Sequence, residues 1–90
     1  MKLPLRFALL RFMAGVEKAN LPMMMEALAP SYGDEKQFTW RNFKGHILSL
    51  EANGLAEETD VLVDRAGNLD TWYRITEDGK NLLRKYGPEK

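Results

Sequence analysis

Leu5, Leu9, Phe12 and Val16 stand at i, i+4, i+7 and i+11, with Ala8 and Met13 alongside, the spacing of one face of an amphipathic helix. Leu3, Phe7, Leu10 and Ala14 make a second apolar stripe almost opposite. The pattern predicts a first helix that is apolar on two sides. Arg6 and Arg11 interrupt the apolar run, so it reads as a soluble first helix and not as a secretory or membrane-spanning segment.

A second, shorter helix is predicted after Asn20, which can cap it, with Pro22 in a first turn where a missing N–H loses no partner. Leu21, Met24, Met25 and Leu28 give this helix its apolar side, Met23 is left as an exposed candidate, and Pro30 with Gly33 are expected to stop it. Residues 30–38 read as a polar connection. Thr39 then predicts the cap of a third helix, 39–53, with Trp40, Phe43, Ile47 and Leu50 inward and Asn53-Gly54 as a left-handed stop.

After Gly54 the period changes to two. Thr59, Val61 and Val63 alternate with Asp60, Leu62 and Asp64, "RAGN" supplies a turn, and Leu69, Thr71, Tyr73 and Ile75 alternate in the same way, which predicts a β-hairpin. Pairing Val61 with Tyr73 would set Asp60 opposite Arg74 and Leu62 opposite Trp72. Thr76 caps a closing helix with Glu77 and Asp78 in its first turn, where the helix dipole favours negative charge, and with Leu82, Leu83 and Tyr86 on its apolar side.

The elements make an α+β chain of three helices, a two-stranded hairpin and a short C-terminal helix, read as one domain over 1–87 with a short tail at 88–90. Ninety residues suffice for one modest core. Lys and Arg number 13 and so do Asp and Glu, so no global field draws the chain to nucleic acid or an anionic membrane, and attraction must come from local patches. Cysteine is absent, which removes disulfides, thiolate ligands and thiol catalysis, and fits a cytoplasmic setting.

Two motifs carry a resemblance. "ILSLEANGLAEE" is similar to the end of a recognition helix with a Leu-Glu-x-x-Gly-Leu exit, and "YRITEDGKNLL" to the Tyr-x-Leu-Thr-x-x-Gly junction after a wing. In this order they resemble the winged helix-turn-helix domain of MarR-like and PadR-like transcriptional regulators. The resemblance implies a third helix that enters the major groove of duplex DNA and a hairpin tip that touches the flanking backbone. Carried onto this sequence, the contacts would be Thr39, Arg41, Asn42, Lys44, Gly45 and Ser49 on the helix and Arg65 and Asn68 at the tip. The side chains have suitable chemistry, since Arg41 can read guanine, Asn42 can read adenine and Lys44 can neutralise a phosphate. No acid lies between Thr39 and Leu50.

Other chemistry finds little support. His46, the one histidine, has no zinc-like partners and reads as a half-buried packing residue. No nucleophile–base set can be assembled, no cofactor or metal is implied, and Glu57 and Glu58 are adjacent on a strand and face opposite ways. A partner interface is expected at Leu3, Phe7 and Leu10, as the seam of a homodimer, and at Leu62 and Trp72 on the hairpin. Glu51, Glu57, Glu58, Asp60 and Asp64 occur with no intervening Lys or Arg, which supports the alternative of a protein–protein interaction module that does not bind DNA.

Overall fold

The computed structural model describes residues 3–86, in the order α1 (Leu5–Ala14), α2 (Leu21–Tyr32), α3 (Trp40–Ala52), β1 (Ala56–Val63), β2 (Leu69–Ile75) and α4 (Glu77–Tyr86). The predicted tail at 88–90 lies outside the described residues. Three helices, an antiparallel hairpin and a closing helix are the α+β arrangement expected from the periodicity.

Helix α1 is the post around which the rest packs. Leu5, Ala8, Leu9, Leu10 and Met13 are all buried, and the helix meets α2, α3, β2 and α4. The first stripe is used inside the chain, and the second is divided, with Leu10 buried and Leu3 and Phe7 half-buried. Leu10 is fully buried, so the seam expected of Leu3, Phe7 and Leu10 is corrected at that residue, and Ala14 is exposed. Among the described residues no polar or charged side chain is buried, so burial of hydrocarbon is the main stabilising term.

Asn20 caps α2 by accepting from the Met23 amide at 3.0 Å. The expected stop at Pro30 is not where the helix ends: α2 runs on to Tyr32 with Pro30 inside it. Pro30 removes one helical hydrogen bond, in the exposed last turn where the freed carbonyl can turn to water. The Tyr32 hydroxyl donates to the Leu3 carbonyl and ties the end of α2 to the entry of α1.

The hairpin register differs from the expected one. Glu58 pairs with Tyr73 and Asp60 with Trp72, leaving Thr59 as the extra residue of a bulge. Glu57 thus stands opposite Arg74, bonded at 2.6 Å, where Asp60 was expected, and Val61 stands opposite Thr71 where Tyr73 was expected. The bulge breaks the alternation of β1 at Thr59, so no single register read from period two fits both halves of the strand.

The segment before α2 is bound to this hairpin. Ala19 and Tyr73 exchange two backbone hydrogen bonds of 2.8 Å each, an isolated bridge that no periodicity foreshadows. On either side of it Lys18 bonds Asp60 at 2.7 Å and Asn20 donates to Asp70 at 3.1 Å. Lys18 also lies 5.2 Å above the Trp72 ring, whose Nε1 donates to Asp70 at 3.0 Å. Trp72 is therefore half-buried and opposite Asp60, which corrects its expected place in an exposed pair opposite Leu62.

The two sequence motifs meet in space. Helix α3 ends with Gly54 at φ 76°, the Gly54 amide donating to Glu51 and the Leu55 amide to Leu50, a Schellman closure. Thr76 donates its hydroxyl to the Gly54 carbonyl at 2.6 Å and its amide to Leu55, while its Oγ accepts from Gly79 and so caps α4. Leu82 and Leu83 are half-buried against the core, whereas Tyr86, expected on the apolar side, is exposed.

Gly79 sits where a side chain has no room: a Cβ there would lie 2.4 Å from the Leu55 carbonyl oxygen and 2.6 Å from Ile75 Cγ1. Gly79→Ala is expected to lower stability by about 1–3 kcal/mol, the usual size of an overpacked contact. Urea unfolding followed by circular dichroism measures this, and an unchanged midpoint would mean that α4 docks less closely.

Candidate nucleic-acid interface

The outward face of α3 follows from how the helix is seated. Phe43, Ile47 and Leu50 are buried. Phe38, just before the Thr39 cap, packs edge-on against Phe43 with ring centroids 5.0 Å apart, a hydrophobic staple that sets the angle at which the chain enters the helix. Thr39 Oγ accepts from the Asn42 amide at 3.1 Å. Helical geometry then leaves Arg41, Asn42, Lys44 and Gly45 exposed.

Each expected contact residue has a definite place. Thr39 is occupied as the cap. Asn42 donates from Nδ2 to the Gln37 carbonyl at 3.0 Å, which leaves Oδ1 and one amide hydrogen for a ligand. Ser49 is half-buried at the margin. Gly45 lies in the helix interior with nothing within 4 Å of a Cβ built on it, so packing does not require glycine there.

Trp40 is a correction. Expected inward, it is 54% exposed at the first position of α3, where Phe38 and not Trp40 packs on the Phe43 ring. Trp40 and Lys44 instead face Leu69, Asp70 and Thr71 of β2 across a narrow cleft of about 60 Å³. The base of the wing thus borders one side of the α3 face. At its tip, Asp64 accepts from the amides of Ala66 and Asn68 and from Asn68 Nδ2, and Gly67 at φ 86° completes the turn. These bonds, that of the Asn68 amide first, hold the Asp64 carboxyl below its ordinary value. Asn68 is engaged by the turn and Arg65 is exposed.

The other side is bordered by α1. Arg6 Nε donates to His46 Nδ1 at 3.1 Å, and the two side chains line a recess of about 360 Å³ with Gln37, Asn42 and Gly45. Partial burial, and after it the Arg6 guanidinium, push the His46 imidazole below its ordinary value. No local pattern points to this pair, whose members lie 40 residues apart.

Charge is distributed unevenly. Glu57 is paired with Arg74, Asp60 with Lys18 and Glu77 with Arg84. The Lys18 hydrogen bond is the main reason the Asp60 carboxyl lies below its ordinary value. Among the described residues Arg6, Arg41, Lys44 and Arg65 have no carboxylate partner. Part of the acidity of the hairpin is thus neutralised locally, and the cations around α3 stay unpaired.

Among the described residues no group of three His, Cys, Asp or Glu is placed to hold a metal ion, and no helix is long and apolar enough to cross a membrane. No family model matches the chain, and no curated protein matches it. Among solved structures it is similar to a Thermoplasma acidophilum protein described as a "putative transcriptional regulator", with a TM-score of 0.73 and 14% identity over 93% of this chain and 75% of that one. With that likeness and the order of elements, the fold is a winged helix.

Proposed function

We propose that the chain is a DNA-binding transcriptional regulator of the MarR-like or PadR-like kind, acting in the cytoplasm, with residues 1–87 working as one domain. It lays α3 in the major groove, with Arg41, Asn42, Lys44 and Gly45 toward the bases and phosphates, Thr39 and Ser49 at the margins, and Arg65 and Asn68 against the flanking backbone. The observation that carries this reading is the exposed face of α3, where Arg41 and Lys44 have no carboxylate partner among the described residues. The description given to the T. acidophilum protein supports it.

Gly45 adds a second line of support. A glycine inside an exposed helix costs about 0.5–1 kcal/mol relative to alanine. The fold gains nothing from it here, whereas a helix that must approach a groove closely does. Two copies reading two half-sites would raise the affinity of a small neutral domain, with the half-buried Leu3 and Phe7 at the seam.

One observation favours a protein-binding module instead. Val61, Leu62, Val63 and Leu69 of the wing are 49%, 52%, 65% and 70% exposed, an apolar surface that a phosphate backbone does not need. DNA binding distinguishes the two readings.

Fluorescence anisotropy with mixed duplex DNA is expected to show binding that weakens with salt. In Arg41→Ala/Lys44→Ala affinity should fall and the log–log slope should drop by about 0.9, for the one phosphate that Lys44 neutralises, while loss of Arg41 removes discrimination at its base. Absence of binding at low salt, or an unchanged slope, would favour the protein-binding reading. Gly45→Ala is expected to raise stability by about 0.5–1 kcal/mol in urea unfolding while weakening DNA binding. Unchanged affinity in that variant would mean that the DNA backbone does not approach α3 at Gly45.

A further inference from the structure

We propose that the recess between α1 and α3 holds one phosphate group of the duplex backbone, with Arg6 as its charged donor and His46 as a second donor; the inference rests on the DNA-binding reading. Neither residue belongs to the recognition-helix and wing contacts implied by the family resemblance. Arg6 comes from α1 and His46 from the side of α3 away from the wing.

Arg6 is held in a geometry suited to an anion. Its Nε is committed to His46 Nδ1 at 3.1 Å, which sets the plane of the guanidinium and leaves both terminal NH₂ groups free to form a fork. Arg6 also lines the apolar recess formed with Phe7, Leu10 and Leu82, so its aliphatic stem has an apolar bed while its charged end turns to His46. No carboxylate pairs with it among the described residues, as with most of the described cations, and what sets Arg6 apart is that its Nε is held by His46. A cation held at its Nε and lacking an anionic partner is prepared for an external anion.

The surroundings have the same polarity. A neutral His46 ring that accepts at Nδ1 carries its proton on Nε2 and donates from there. No acid lines the recess, which is about 360 Å³ in volume. Gln37, on its rim, donates from Nε2 to Glu35, and like Asn42 it keeps one amide hydrogen, so Arg6 supplies the only charge of the lining and His46 stands beside it. Asn42 and Gly45 belong both to this recess and to the outward face of α3. A strand whose bases meet Arg41 and Asn42 therefore carries its backbone past Arg6.

The test compares wild type, Arg6→Gln and Arg6→Lys for duplex binding across a salt series, with circular dichroism to confirm that each variant folds. Arg6→Gln is expected to lower the log–log salt slope by about 0.9, one phosphate contact, and to weaken binding roughly tenfold and equally on unrelated sequences. Arg6→Lys should keep the slope and lose part of the affinity. Wild-type slope and affinity in Arg6→Gln would overturn the proposal even though the protein binds DNA. Inorganic phosphate titrated into ¹⁵N-labelled protein at constant ionic strength reads the recess separately. Shifts at the Gly45 amide and Arg6 Nε–H that vanish in Arg6→Gln support a phosphate recess. If those shifts appear in a protein that binds no duplex, the DNA reading fails and the recess serves a free phosphate ligand, which overturns the backbone assignment. If neither shifts nor duplex binding appear, both fail.

Discussion

The arrangement depends on one junction, where the exit of α3 is bonded to the entry of α4. Gly54 takes the left-handed turn that ends α3, and Thr76 bonds the two carbonyls that follow, those of Gly54 and Leu55. Gly79 has no side chain, so the Leu55 carbonyl can lie against the first turn of α4. The hairpin leaves from one side of this junction and returns to the other. Its base is therefore fixed relative to α3; a side chain at Gly79 would push against the Leu55 carbonyl, and one at Gly54, at φ 76°, would strain the turn.

A second attachment works across the molecule. The Ala19–Tyr73 bridge, flanked by Lys18–Asp60 and Asn20–Asp70, binds the start of α2 to the hairpin. With α1 buried on two sides beneath, α3 is held between fixed neighbours, the base of the wing beside Trp40 and Lys44 and α1 beside Asn42 and His46. Asp60 and Glu57 of the hairpin are paired with cations, while Arg41 and Lys44 form no ion pair among the described residues, although Asp70 lines the cleft beside Lys44. A chain of zero net charge can in this way present a local positive face.

Much of this was legible from the sequence because local rules decide it. Helix faces follow from period 3.6, and the caps at Asn20, Thr39 and Thr76 and the stop at Gly54 follow from side-chain and backbone chemistry. What was not legible depends on partners distant in the chain or on small offsets. The bulge at Thr59 interrupts the alternation, so that Glu58 and Asp60 face opposite sides, and no single period read along the strand reveals it. Ala19 joins the hairpin through a single residue, too short to have a period. Trp40 fits the inward spacing of α3, yet it is exposed, and the ring that packs on Phe43 is that of Phe38 from before the helix. Arg6 and His46 meet only because α1 and α3 pack side by side, and neither residue announces the other. The unpaired state of Arg41 and Lys44 was foreshadowed by the absence of acids along α3, but the neutralisation of the hairpin carboxylates needed the three-dimensional pairing.

Whether α3 is the working surface is tested most directly by a map of backbone amide shifts in ¹⁵N-labelled protein on titration with a mixed duplex at low salt. Groove binding predicts that the largest changes fall on Arg41, Asn42, Lys44 and Gly45, with a second, smaller group at Arg65 and the wing tip. Shifts confined to Leu62, Trp72 and their neighbours, or none at all, would contradict it and place the working surface of this winged helix elsewhere.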